Sequence, residues 1–401
     1  MKQVLANFNS VFGLLSSVLM ISSVCFAGRA FADPNLADTF YDNASGSPLV
    51  SLLVKAKKSI DIEIYEMDDP LVLTSIKAAV ERGVRVRIIK EEFPVGASCR
   101  VFIPKLPTDL PSCQNQKDLV QMVQKSGGQY VPFKNSTLCG MAGTTCFEHG
   151  KIIIVDAAQA LISTGNFNTS SLCNKKELPV ACNRDYSVVS VDQNVVHTLT
   201  QIFEKDLIGA SYKVNELLLQ APTQKLTVSP FSMAPLKAFI ASAVRKIQIQ
   251  NQYLKEPELN QAILDAAKRG VKIEIMVASA CSFAKPTVND ISKWTSTYSA
   301  FDQAGIATRI FTRNIKISGF PGYLHAKAIV VDDSRAWVGS VNGSLTSLSD
   351  NREYGIFLSN LSEVKKLQVF LDQDFKNPNG ESWQDSLTCK HDPAPTVPNA
   401  Q

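Results

Sequence analysis

Apolar positions alternate in "SIDIEIYEMDDPLVLTSIKAAVERGVRVRIIK" (59–90), switch to a helical spacing after Pro70, and alternate again beyond Gly83. Period two, a proline-started period of 3.6, a glycine and period two again predict a βαβ unit with a parallel strand pair. The same pattern returns without a gap in "KIQIQNQYLKEPELNQAILDAAKRGVKIEIMV" (246–277), at an offset of 187. Two later stretches also repeat. "HGKIIIVDAAQALISTGNFN" (149–168) lies over "HAKAIVVDDSRAWVGSVNGS" (325–344) at an offset of 176, and "NRDYSVV" (183–189) over "NREYGIF" (351–357) at 168. The falling offset places eleven extra residues in the first copy, expected in the Cys99 to Cys113 loop, and eight more around Cys173 and Cys182. Two homologous α/β halves follow, each a helix-flanked sheet, over 33–215 and 233–380. The Pro-, Ser- and Thr-rich stretch 216–232 is the expected linker, and the Pro-rich 381–401 a flexible tail.

Residues 1–32 stand apart from this pattern. Lys2, the apolar run "VFGLLSSVLMISSVCFAG" and Ala30-Phe31-Ala32 have the form of a secretory signal, with an uncleaved membrane anchor as the alternative. Loss of Lys2 and Arg29, with no acidic residue, brings the net charge from +4 to +2. So small a charge gives no general attraction for polyanions, which weakens a nuclease reading. Eight cysteines remain after Cys25 leaves with the leader, an even number that suggests disulfides in an exported chain, periplasmic or secreted. Sequence-local pairs are expected: Cys99 with Cys113, Cys139 with Cys146, and Cys173 with Cys182.

His149 and Lys151 share one strand face, as do His325 and Lys327, because residues i and i+2 point the same way. Thr164 and Asn166, and their counterparts Ser340 and Asn342, follow on the next strand. Brought together, two imidazoles, two ammonium groups and two amides suit a phosphodiester anion. The lysines and Asn166 and Asn342, with Thr164 and Ser340, would hold the phosphate oxygens, while one histidine attacks phosphorus and the other protonates the leaving oxygen. The cationic side chains do the work of a divalent ion, so neither metal nor other cofactor is expected. A nucleophilic imidazole needs a carboxylate on its other nitrogen, and Glu353 and Asp185, in "NREY" and "NRDY", are the candidates, Glu353 beside the histidine of its own repeat. Asp156 and Asp332 end their strands and are expected to be structural.

H-x-K-x4-D followed by G-S-x-N, found twice, resembles the phospholipase D superfamily, over about 48–378. The second copy matches throughout; the first has Ser163-Thr164 for Gly-Ser and Asp185 for Glu. The resemblance implies an α/β fold of two α/β/α sandwich halves, with mixed, largely parallel sheets packed in pseudo-twofold symmetry. It also implies a phosphohistidine on His149, with His325 as general acid and then base. The implied activity is phospholipase D-type hydrolysis of glycerophospholipids at a membrane surface by a monomer. The alternatives are a cardiolipin synthase-like phosphatidyl transferase and an exported nuclease acting on nucleic acid. Cardiolipin synthases of this architecture usually carry membrane helices before the catalytic halves, and the cleavable look of 1–32 tilts the expectation toward hydrolysis.

Overall fold

The computed structural model describes residues 37–95, 99–133, 146–177, 179–282, 285–390 and 392. The expected leader, Cys139 and His391 lie outside these residues. Two seven-stranded sheets dominate. In the first the spatial order is β1 (Asp38–Asp42), β8 (Tyr186–Ser190), β6 (Gln159–Ser163), β5 (Lys151–Val155), β2 (Ser59–Ile64), β3 (Arg85–Lys90) and β4 (Gln129–Pro132). The second repeats the plan from its other edge: β9 (Leu226–Ser229), β17 (Glu353–Leu358), β16 (Arg335–Gly339), β15 (Ala328–Val331), β10 (Lys246–Asn251), β11 (Lys272–Ala278) and β12 (Ala307–Phe311). Strands β2, β3 and β4 of the first sheet and β10, β11 and β12 of the second are parallel, and the other pairings within these two sheets are antiparallel, so in each only the strand that follows the motif histidine and one other run against the majority.

The expected βαβ units form with matching punctuation. Helix α1 (Pro70–Glu81) begins at Asp69, whose carboxylate accepts from the amides of Leu71 and Val72, and the chain turns at Gly83 with φ +82°. After α2 (Pro111–Lys125) and α3 (Gln193–Leu207), helix α4 (Pro257–Lys268) begins at Glu256 and turns at Gly270 with φ +88°. Only a glycine takes such an angle without strain, which is why both copies keep it.

Ile60, Ile62 and Ile64 of β2 face an outer core with α1 and α2. The opposite faces of both sheets meet in a shared inner core: Ile152, Ile154 and Val188 from one half, Ala328, Val330 and Ile356 from the other. Helices α3 and α5 (Leu361–Phe375) close that layer. Burying sheet faces against each other makes the two halves one body.

Two expectations change. Leu226–Ser229, within the supposed linker, is edge strand β9 of the second sheet, because its alternating apolar residues find the open side of β17. Residues from 381 begin ordered: helix α6 (Trp383–Leu387) buries Trp383, and Cys389 is bonded to Cys281 across 108 residues. Cys99–Cys113 and Cys173–Cys182 pair as expected, and Cys146 is also disulfide-bonded.

Asp156 and Asp332 have matched roles. The Asp332 carboxylate accepts from the amides of Val244, Arg245 and Lys246 at 3.0, 2.7 and 3.0 Å; Asp156 accepts from Lys57, Lys58 and Ser59 at 3.0, 2.6 and 2.9 Å. Each closes the turn into the strand beside it. Removing the acceptor of three backbone donors at once in Asp332→Ala is expected to cost about 2–3 kcal/mol of unfolding free energy, measured by chemical denaturation.

Candidate active site

The motif segments are exchanged between halves at the join. The residues leading to His325 form β14 (Phe320–Leu324), which pairs in parallel with β7 (Cys182–Arg184) of the first half. Glu148, before His149, makes the matching bridge to Arg352 of the second half. The backbone N–H of His149 donates to the Arg352 carbonyl at 2.9 Å, and that of His325 to the Arg184 carbonyl at 3.2 Å. Each histidine is thereby set one residue from the carboxylate of the other half.

That displacement corrects the expectation that Glu353 serves the histidine of its own repeat. His149 Nδ1 lies 2.9 Å from Glu353 Oε2, and His325 Nδ1 lies 2.9 Å from Asp185 Oδ1. Burial works to raise both carboxyls. Against it, His149 and Lys151 hold Glu353, and His325, Lys327 and Thr164 hold Asp185, below the ordinary carboxylate range. Since an ionised carboxylate only accepts, each Nδ1 carries the proton and each Nε2 keeps its lone pair. Burial pushes the His149 imidazole down to about 4 against the upward pull of Glu353, and His325 is lowered likewise against Asp185. At neutral pH both rings are uncharged and nucleophilic.

The lysines complete the cluster. Lys151 and Lys327 are fully buried, and among the described residues Lys151 donates only to the His149 carbonyl, Lys327 only to the carbonyls of His325 and Thr164. Burial lowers Lys151 to about 8 and Lys327 to about 7, while Glu353 and Asp185 act to raise both. Ammonium groups without a paired carboxylate are open to an anion, whose charge would also restore their protons. The groups sense one another across the join: Lys327 acts on His149 and Lys151 on His325.

Asn166 and Asn342 are buried beside this cluster, each with an amide oxygen that has no donor among the described residues. Asn166 Nδ2 points to Glu66 at 3.4 Å. Thr164 and Ser340 are engaged elsewhere than expected. The Thr164 hydroxyl donates to Asp185 at 2.7 Å and accepts from the Tyr186 amide, and the Ser340 hydroxyl accepts from the Tyr354 amide at 3.0 Å and bonds Glu353. They hold the carboxylates in place instead of facing a phosphate.

Several contributors were not singled out from the sequence. Ser347 and Asn351 donate to Glu353 Oε1, and Tyr65 stacks edge-on against His149 with ring centroids 4.9 Å apart. A Cβ on Gly165 would fall 2.4 Å from Asp185 Oδ2, so only glycine lets that carboxylate reach His325. Beneath the site, Arg184 pairs with Asp374 at 2.8 Å and Arg352 with Asp206 at 2.8 Å, again across halves. The twice-written "NR-acid-Y" pointed to these arginines.

The fold and site define a duplicated α/β protein whose halves share one cluster of histidines, lysines and carboxylates. The family described as "Cardiolipin synthase, PLD-like domain" matches residues 49–207 and 236–375, once per half, and the chain belongs to the phospholipase D superfamily. A probable cardiolipin synthase of Bacillus subtilis (strain 168) is 23% identical over 281 residues, covering 65% of this chain and 52% of that protein. Cardiolipin synthase A of Buchnera aphidicola subsp. Acyrthosiphon pisum (strain APS) is 26% identical over 334 residues, covering 76% and 62%. The chain thus spans between half and two thirds of these relatives. Among solved structures, phosphatidylserine synthase from Haemophilus influenzae Rd KW20 superposes with a TM-score of 0.58 at 13% identity, covering 86% of this chain and 87% of that one. A polyphosphate kinase from Porphyromonas gingivalis gives 0.56 at 14%, covering 86% and 52%. At such identities the likeness is one of fold.

Proposed function

We propose that the protein is a phosphatidyl transferase of cardiolipin synthase type, working through a phosphohistidine. The pair of exchanged histidine–carboxylate contacts, His149 with Glu353 and His325 with Asp185, supports the phosphohistidine chemistry, and the similarity to cardiolipin synthases supports transfer as its outcome. His149 Nε2 attacks the phosphorus of a phosphatidyl donor, the bond to the head-group oxygen breaks, and His325, having taken up a proton with the anionic substrate, delivers it to that oxygen. Neutral His325 then removes the proton of an acceptor alcohol, which attacks phosphorus and releases His149. Lys151, Lys327, Asn166 and Asn342 hold the non-bridging oxygens as charge builds.

Water in place of the alcohol gives phospholipase D hydrolysis, which the sequence alone favoured. The two outcomes use the same side chains, so the motifs do not separate them; the names of the relatives favour transfer. The disulfides Cys99–Cys113, Cys173–Cys182 and Cys281–Cys389 support work outside a reducing compartment as part of the proposal.

Phosphatidylglycerol vesicles given to the purified chain test the reading, with lipid products separated by mass spectrometry. Cardiolipin and glycerol in equal amounts are expected. Phosphatidate and glycerol without cardiolipin would replace transfer by hydrolysis. Inert lipid alongside cleaved single-stranded DNA would overturn the lipid reading.

A further inference from the structure

Each departure from symmetry between the halves has a counterpart to be measured against. Glu63 corresponds to Gln250, and Glu148 and Gly150 correspond to Leu324 and Ala326. Gln250 is both acceptor and donor: its Oε1 receives the Tyr186 hydroxyl at 2.7 Å, and its Nε2 donates to Asp374 at 3.0 Å. Glu63 keeps only the first role. Its Oε2 receives the Tyr354 hydroxyl at 2.8 Å, and its Oε1, where the glutamine has its amide nitrogen, is buried with no donor. Glu148 has the same deficit: Oε1 receives the Gly150 amide at 2.6 Å, and Oε2 is buried with no donor. Both side chains are 0% exposed, and each carboxyl lies within bonding reach of the other, close enough to act on its titration. Two ionised carboxylates cannot bond across that reach, whereas one proton between them gives both orphan oxygens a partner.

We infer that Glu63 and Glu148 share a single proton in the resting protein and that the protonated pair is a positioning element for the His149–Lys151 strand. Its contact with that strand is direct. A Cβ at Gly150 would lie 2.6 Å from Glu148 Oε1 and 2.5 Å from the Tyr354 ring, so the pair packs against the backbone between the motif histidine and lysine. The charged and titratable groups around it are Arg352 just before β17, Tyr354 on β17, Asp206 on α3, Tyr212 beyond α3, Lys151 on β5 and Glu91 after β3. Arg352 is already matched by Asp206 at 2.8 Å, and Lys151, the other cation that senses Glu148, is turned to the His149 carbonyl, so among the described residues neither forms an ion pair with the two carboxyls.

Burial raises both acids above the ordinary glutamate value. For an acid with a raised folded-state value, the stabilisation is complete below the unfolded value and is lost as pH rises through the folded one. Alkaline pH should therefore place two negative charges under His149. The second half has no such pair, so the device acts on one histidine only.

Infrared difference spectroscopy of the full chain at neutral pH reads the proton directly as a protonated-carboxyl stretch. Because one proton is shared, Glu63→Gln alone and Glu148→Gln alone are each expected to abolish the same band, since the new amide supplies the missing donor. Two half-losses that add in the double variant would mean two independent neutral acids, and an unchanged band would mean no proton; either overturns the inference. If a variant does not fold, the pH titration of the wild-type band decides, and its absence at neutral pH is equally fatal. With phosphatidylglycerol vesicles, the alkaline limb of kcat should move to higher pH in Glu63→Gln with KM unchanged. An unmoved limb overturns the positioning role. This kinetic arm rests on the transferase reading; the infrared arm does not, so the two failures are distinguishable.

Discussion

Replacing His149 with alanine is expected to lower turnover of phosphatidylglycerol by at least about 10³-fold, because the atom that bonds to phosphorus is gone. The loss should fall in kcat. Lys151, Lys327, Asn166 and Asn342 still hold the anion, so KM should move little. His325→Ala should lose a similar factor on the lipid, whose alkoxide cannot leave without a proton. On a diester that expels a stable phenolate, however, this variant should still form the phosphoenzyme and then stall. Product formation and phosphoenzyme yield, followed together, check both variants.

Glu353→Gln and Asp185→Asn are each expected to cost about 10³- to 10⁴-fold, the range seen when the carboxylate behind a catalytic imidazole becomes an amide. An amide can offer its N–H to Nδ1, which then accepts and leaves the proton on Nε2. The lone pair no longer faces the substrate. The exchange of partners gives these variants distinct signatures. Glu353 lies in the second half but serves His149, so Glu353→Gln should fail before any phosphoenzyme appears. Asp185 lies in the first half but serves His325, so Asp185→Asn should form the phosphoenzyme from the phenolate-releasing diester and fail to discharge it. Pairing within each half would give the reverse.

Both site motifs and both carboxylates were legible because duplication wrote them twice. Strand alternation placed His149 with Lys151 and His325 with Lys327 on one face; in the structure β5 begins at Lys151 and β15 at Ala328, so both histidines lie just before their strands, and each lysine bonds the carbonyl of its own histidine. Which carboxylate meets which imidazole was not legible. That depends on β7 pairing with β14 and Glu148 with Arg352 across the join, and a sequence offset carries no information about pairing between homologous halves. Thr164 and Ser340, placed on the phosphate from the sequence, bond the carboxylates in the structure, since a hydroxyl near a phosphate site can serve the anion or the carboxylate behind the histidine and only position decides. Strand β9 was hidden by Pro230 and its Ser- and Thr-rich surroundings, where four alternating residues between turn formers gave too short a signal. Helix α6 and the Cys281–Cys389 bond were hidden because a Pro-rich tail after residue 391 coloured the whole C-terminal segment.

The exchanged pairing is the centre of the account, and phosphohistidine mapping tests it most directly. Wild type, Glu353→Gln and Asp185→Asn are mixed with the phenolate-releasing diester, quenched in alkali, digested and examined by mass spectrometry. The account predicts the diester's remaining esterified phosphoryl group on His149 in Asp185→Asn, at or near one per chain, and none on either histidine in Glu353→Gln. That group on His325, or an adduct that persists in Glu353→Gln and vanishes in Asp185→Asn, would contradict it.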